Sequence, residues 1–186
     1  MPGPPPCPNA PMNIRPYKGL LPKLGVRVYV DPAATVIGDV EIGDDSSIWP
    51  GTVVRGDVMH IRIGARTNIQ DGTIVHVTHD GAYTPNGFPT IIGNDVTIGH
   101  AAVIHACTLE DCCLIGMHAT VLDGAVVQKH AFVGAGAVVS PGKTVGSGEL
   151  WLGNPARMVR RLTDTQIQQL QYSAEHYVRL KNEYLV

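Results

Sequence analysis

Aliphatic residues recur along the chain every six positions: Val30, Val36, Ile42, Ile48 and Val54, then Ile63, Ile69 and Val75, then Ile92, Ile98 and Ile104. A new phase carries the repeat through Leu109, Ile115, Val121, Val127, Val133, Val139 and Val145. Two residues before most of these sits a small side chain, such as Ala34, Ser46, Thr52, Thr67, Thr73, Ala102, Cys107, Cys113, Ala119, Ala125, Ala131 and Ala137. Two inward columns at this period describe a short strand plus a corner. Three such units close one triangular coil, so the 18 units predict six coils of a parallel β-helix. Glycines that directly follow an aliphatic, Gly43, Gly64, Gly93, Gly99, Gly116 and Gly134, suit points of close backbone approach. A β-sandwich would instead show strict alternation with repeated hairpin signals such as Asn-Gly, and Asn86-Gly87 is the single Asn-Gly present.

Beyond the repeat, Gly153-Asn-Pro-Ala-Arg157 breaks the pattern and Thr163-Asp-Thr-Gln166 reads as a capping box. A helix is predicted there, with Ile167, Leu170, Ala174, Tyr177 and Leu180 on its apolar face. The expected organisation is a Pro-rich disordered tail over 1–11, a β-helix domain over 12–157 and a helix over 158–186 that packs on it. The tail holds six of the 14 prolines, and Met12 is a second plausible start.

Composition narrows the function classes. Of 186 residues, 16% are charged and the net charge is −2, which argues against a nucleic-acid binder, since that function needs a clustered basic surface. The apolar runs fall far short of the roughly 20 residues a membrane span needs. The start lacks the basic and apolar regions of a secretory signal, so the expected compartment is the cytoplasm. Cys7, Cys107, Cys112 and Cys113 show no CxxC spacing and are not expected to form disulfides there. Cys107 and Cys113 fall in the small inward column, Cys112 has no evident base partner, and Trp49 and Trp151 have no assignable role.

The chemistry lies in the histidines. Counting turns from Val30, the repeat residues Val54, Val75 and Ile104 share face two, and Arg55, His76 and His105 directly follow them. His76 lies 21 residues after Arg55, one 18-residue coil plus a three-residue insertion, and His105 lies 29 after His76, a coil plus eleven. The three therefore form one outward column with members about one strand spacing, roughly 4.8 Å, apart. Stacked imidazoles can share a tetrahedral metal, which needs their nitrogens about 3.3 Å apart. His100 falls on face one, 29 residues above Asp71 and near Gln70, and cannot join that column within its own chain. A three-fold trimer, face two of one prism against face one of the next, would bring His100 to His76 and His105, and Asp71 to Arg55.

These residues, Arg-Gly-Asp at 55–57, Asn-Ile-Gln-Asp-Gly at 68–72, His76, Ile-Gly-His ending at His100, and His105, resemble the gamma-class carbonic anhydrases over Val30 to about Arg157. The resemblance implies a left-handed β-helix homotrimer, with zinc held at each interface by His76, His100 and His105; iron or cobalt also suits imidazole. It implies that Arg55 and Asp57 organise the interface, that Asp71 pairs with Arg55, and that Gln70 orients the water that adds to CO2 to give bicarbonate. Better-known members carry glutamates where this chain has Val58 and His79, so hydration is expected to be weak and His79, near Tyr83, is a candidate proton shuttle. The alternatives are acyl transfer or thioester hydrolysis on a coenzyme A substrate, with histidine as general base, and a non-catalytic metal-binding scaffold trimer.

Overall fold

The computed structural model describes residues 13–185, so the 1–11 tail and Cys7 lie outside the described residues. The chain winds as a parallel β-helix whose coils stack in register. On face one the column runs Val30, Ile48, Ile69, Ile98, Ile115, Val133 and Trp151, each pairing with the next across a parallel ladder. Face two runs Val36, Val54, Val75, Ile104, Val121 and Val139, and face three runs Ile42, Ile63, Ile92, Leu109, Val127 and Val145. The repeat positions from Val36 to Val145 are buried, which accounts for the six-residue period: two residues per face point inward and the rest form corners.

The coils predicted from Val30 onward are present and extended at both ends. Ile14–Arg15 and Lys23–Leu24 add strands below faces two and three, and Glu149–Leu152 adds one above face one. Neither early strand carries the aliphatic-plus-small signature, because the end of a prism has nothing beyond it to pack on. Trp151 thus has a role: it is the last rung of the face-one column and packs over the open end of the core.

The small column does two jobs. Ala102, Ala119, Ala125, Ala131 and Ala137 simply fit, whereas in the lower coils hydroxyls reach the next coil: Ser46 Oγ donates to Gly64 O (2.7 Å) and Thr52 Oγ1 to Gln70 O (2.9 Å). Each buried hydroxyl is thereby satisfied and tightens the stack. Gly43 and Gly64 are dictated by space. A Cβ would stand 2.6 Å from the Gly64 carbonyl carbon at the first and 2.5 Å from that of Gly93 at the second.

The stretch 158–161, expected with the C-terminal helix, is instead the end of strand Arg157–Arg161, which folds back antiparallel on Glu149–Leu152. The helix spans Asp164–Tyr184 with the predicted capping box in place, Thr163 Oγ1 accepting from Gln166 N and Thr163 N donating to Gln166 Oε1. It lies on face one, against strands Ser47–Ile48, Asn68–Ile69 and Thr97–Ile98. Trp49 is its anchor, ringed by Tyr29, Tyr177 and Tyr184 at centroid distances of 5.4, 5.7 and 5.3 Å. Leu170 and Ala174 are buried as expected, while Ile167, Tyr177 and Leu180 are half-buried and the third buried position is Lys181. Among the described residues, no helix is long and apolar enough to cross a membrane.

Lys181 is fully buried, and its ammonium donates to Arg27 O (2.7 Å) and Asp45 Oδ1 (2.8 Å). The hydrogen bond from Arg27, together with that from Lys181, outweighs burial and holds the Asp45 carboxyl at about 2. Because this pKa lies below the ordinary 3.8, the pair's contribution is complete above about pH 4 and is lost as pH falls toward 2. Asp45→Asn strands the buried ammonium and should cost about 3 kcal/mol, near the low end for a broken buried pair since the Arg27 carbonyl remains. Urea unfolding followed by Trp fluorescence reads this, and the wild-type advantage should shrink between pH 4 and 2.

Candidate metal centre

Two corners of the prism carry the predicted residues. After face two, the ladder places His105 directly opposite His76, with Arg55 next to Val54 one coil below. The column inferred from spacing is therefore present. The three-residue insertion is a bulge: Gly38 pairs with Gly56 and Val40 with Ile61, so Asp57, Val58, Met59 and His60 loop out opposite Asp39. The eleven-residue insertion is an excursion over 77–89, closed at its base by paired backbone hydrogen bonds between Thr78 and Phe88 (3.0 and 2.9 Å). Asn86 and Gly87, the single Asn-Gly pair, have φ of +69° and +61° and end a turn inside it that Gly87 N closes by donating to Thr84 O (2.9 Å). A Cβ at Gly87 would lie 2.6 Å from Thr78 O, so only glycine allows that closure.

His76 Nδ1 faces His105 Nε2 at 3.2 Å. The outer nitrogen of each ring meets a carboxylate, His76 Nε2 to Asp57 Oδ1 (3.1 Å) and His105 Nδ1 to Asp123 Oδ1 (2.7 Å). Burial opposes the charge on Asp57, but hydrogen bonds from Arg55 and His76 hold it below the ordinary carboxylate range. Asp123 behaves likewise, burial being outweighed by bonds from Thr78 and His105. Burial lowers the His76 pKa despite the Asp57 bond, favouring the neutral ring. Ionised carboxylates only accept, so each outer nitrogen carries a proton, and with both rings in the neutral form two lone pairs point at each other. Two acceptors at 3.2 Å repel unless a cation lies between them, and the separation matches the edge of a tetrahedral imidazole site. The donor set thus fits a metal.

The other corner, after face one, holds Gln70, Asp71 and His100. His100 Nδ1 pairs with Asp71 Oδ2 at 2.8 Å, and both side chains are more than two-fifths exposed. Gln70 is buried and its Nε2 donates to Asn68 Oδ1 (3.0 Å). Gln70 and His100 line a cavity of about 350 Å³ shared with Thr97, Met117, Ser173 and Tyr177, the last two from the helix. Among the described residues of one chain, no three or more His, Cys, Asp or Glu side chains converge as a metal site. Arg55, expected opposite Asp71, pairs within its own chain with Asp57, and Asp71 with His100. His79 is exposed in the excursion, where its carbonyl accepts from Thr84 Oγ1 (2.8 Å).

Two participants were not identified from the sequence. Ile104 pairs with Val121, so the position directly above His105 is Leu122; Asp123 lies one residue beyond it and Thr78 two residues after His76, and counting along the column reaches neither. The three described cysteines are disfavoured as thiolates. Burial pushes the Cys107 thiol up to about 12 and raises Cys113 and Cys112 as well.

Residues 22–56 match the family described as bacterial transferase hexapeptide (six repeats). The chain is 50% identical to Protein YrdA of Escherichia coli K12 over 92% of this chain and 94% of that one. It is 52% identical to the mitochondrial gamma carbonic anhydrase 2 of Arabidopsis thaliana over 82% of this chain and 55% of that one. With the probable carbonic anhydrase of Methanocaldococcus jannaschii it shares 50% identity over 82% of this chain and 92% of that one. A solved structure, a hexapeptide transferase family protein from Anaplasma phagocytophilum, superposes with a TM-score of 0.85 at 44% identity, covering 92% of this chain and 97% of that one. With these identities spread over nearly the whole parallel β-helix, the chain belongs to the gamma-class carbonic anhydrase-like family of hexapeptide-repeat proteins.

Proposed function

We propose that this protein is a metal-dependent enzyme that reversibly hydrates CO2 to bicarbonate, working as a cyclic homotrimer. His76 and His105 of one subunit and His100 of the partner subunit would hold the metal, zinc or alternatively iron or cobalt. The observation that carries the reading is the facing imidazole pair at 3.2 Å, each ring locked from behind by a carboxylate. The carbonic anhydrase names of relatives at 45–52% identity support it. When bound, the metal supplies a water acidic enough to lose its proton near pH 7.

The chain's own residues supply the rest. Asp57, tied to both Arg55 and His76, holds one ligand ring in place. Asp71 orients His100 at its exposed corner, ready for a neighbouring prism, and in the assembled trimer it can also meet Arg55. Gln70, whose amide nitrogen is committed to Asn68 and which lines the same cavity as His100, would use its amide oxygen to hydrogen-bond the reacting water. His79, three residues beyond His76 in the excursion, exports the proton, because Val58 stands where the resemblance places a carboxylate.

The shared site predicts complementation. His100→Ala and His76→Ala proteins each bind no stoichiometric zinc, yet after mixed refolding hetero-trimers should regain about one site in three, since one interface then joins an intact His76 to an intact His100. Metal analysis of isolated hetero-trimers reads this; no gain over the parent variants would mean the ligands are not shared.

Hydration should vanish when a chelator strips the metal and return with zinc. His79→Ala should slow it several-fold in weak buffer, with recovery in added imidazole. The solved relative described as a hexapeptide transferase favours the second reading, acyl transfer from coenzyme A. Stopped-flow CO2 hydration and acetyl-coenzyme A turnover on the same fully metallated sample decide between them. Acyl turnover without hydration would transfer the assignment.

A further inference from the structure

Of the two carboxylates behind the facing imidazoles, Asp57 lies within the resemblance, whereas Asp123 belongs to none of the motifs that carry it. We infer that Asp123, pinned by Thr78, is a positioning residue that fixes the tautomer of His105 and so keeps Nε2 free as a metal donor; the inference rests on the metal site proposed above.

The geometry is two-sided. Asp123 Oδ1 accepts from His105 Nδ1 at 2.7 Å while Oδ2 accepts from Thr78 Oγ1. Neither oxygen is free to turn, so the carboxylate plane and the ring plane are set together. Asp57 has the same design, one oxygen on His76 and the other on Arg55. The two ligands are thus held alike, but by different means: an arginine from the lower coil for His76, and a threonine at the root of the 77–89 excursion for His105. Thr78 is itself fixed through its backbone pairing with Phe88. Close by, the His76 carbonyl accepts from Thr90 Oγ1 (2.6 Å) and from Ala106 N (3.0 Å), locking both ends of the excursion to the two ligand-bearing strands. The stacking of coils explains why Asp123 can do this. Ile104 pairs with Val121, so Asp123 sits one residue beyond the histidine column, where its short side chain reaches back down to the outer nitrogen of His105.

An amide at 123 reverses the polarity. If the hydroxyl of Thr78 keeps donating to the amide oxygen, the NH2 group points at His105 Nδ1, which must then offer a lone pair, and the ring proton moves to Nε2. That proton faces His76 Nδ1 and blocks the donor. The comparable swap behind a catalytic histidine of serine proteases has this consequence. Losing such an outer partner typically lowers metal affinity 10- to 100-fold.

The test uses the full chain and two readouts. In metal-free protein, long-range ¹H–¹⁵N spectra should show His105 as the Nδ1–H tautomer in the wild type and with substantial Nε2–H in Asp123→Asn. In parallel, zinc competition against a chromophoric chelator should give a 10- to 100-fold weaker affinity for Asp123→Asn. Thr78→Val should weaken zinc by a smaller factor and Thr78→Ser should restore it, and Thr78→Val should add little on top of Asp123→Asn. If Asp123→Asn fails to fold, the Val and Ser variants at 78 decide. An unchanged His105 tautomer, or equal zinc affinities for the Val and Ser variants, would overturn the inference. A wild type that shows the Nδ1–H tautomer but binds no zinc would instead overturn the metal reading and leave the role of Asp123 in orienting His105 standing.

Discussion

The parallel backbone ladder between coils governs this molecule. Each strand donates and accepts with the strand one coil above and below at a fixed spacing of about 4.8 Å, so residues far apart in sequence become vertical neighbours. The consequence for chemistry is direct. Two imidazoles on consecutive ranks are brought close without any dedicated loop, and their nitrogens settle 3.2 Å apart because the ladder pairs His76 with His105. The side chains then need only rotational control, which Asp57 and Asp123 supply from neighbouring ranks.

The same ladder explains why so much could be read in advance. A column of aliphatics with small partners survives in the sequence as a period, and counting along it placed Arg55, His76 and His105 on one edge and Asp71 and His100 on another. Counting finds residues that share a rank position; it is blind to those that lean in from an adjacent one. Asp123 is such a residue, one step past the column. Lys181 was hidden for another reason. Its position matches the apolar stripe of the helix, but a lysine there is read as solvated, and only the approach of Asp45 and the Arg27 carbonyl from a distant corner makes burial tolerable. The terminal strands Ile14–Arg15, Lys23–Leu24 and Arg157–Arg161 escaped because none carries the aliphatic-plus-small pair that marks an inward column.

The two corners differ in character, and that difference bears on assembly. Around His76 and His105 the groups are paired and half-buried, with Arg55 closing the outer side of Asp57. Around His100 and Asp71 they stand exposed, beside a cavity whose far wall is the C-terminal helix. The helix therefore has two duties on face one. It seals the lower part of the face through Trp49 and the tyrosines, and with Ser173 and Tyr177 it shapes the approach to Gln70 and His100.

Both insertions, the 57–60 bulge and the 77–89 excursion, leave the prism at the corner after face two, and the ladder resumes in unchanged register above each. Length at these points is thus decoupled from the rest of the architecture. Losing one residue inside a strand would rotate every later rank out of phase, whereas gaining or losing several beyond Asp57 in the bulge or beyond Thr78 in the excursion alters only the rim around the imidazole pair. Evolution can therefore treat this corner as a variable region on an invariant frame, resculpting access and proton traffic by insertion and deletion while the histidine ranks stay where the coil count puts them.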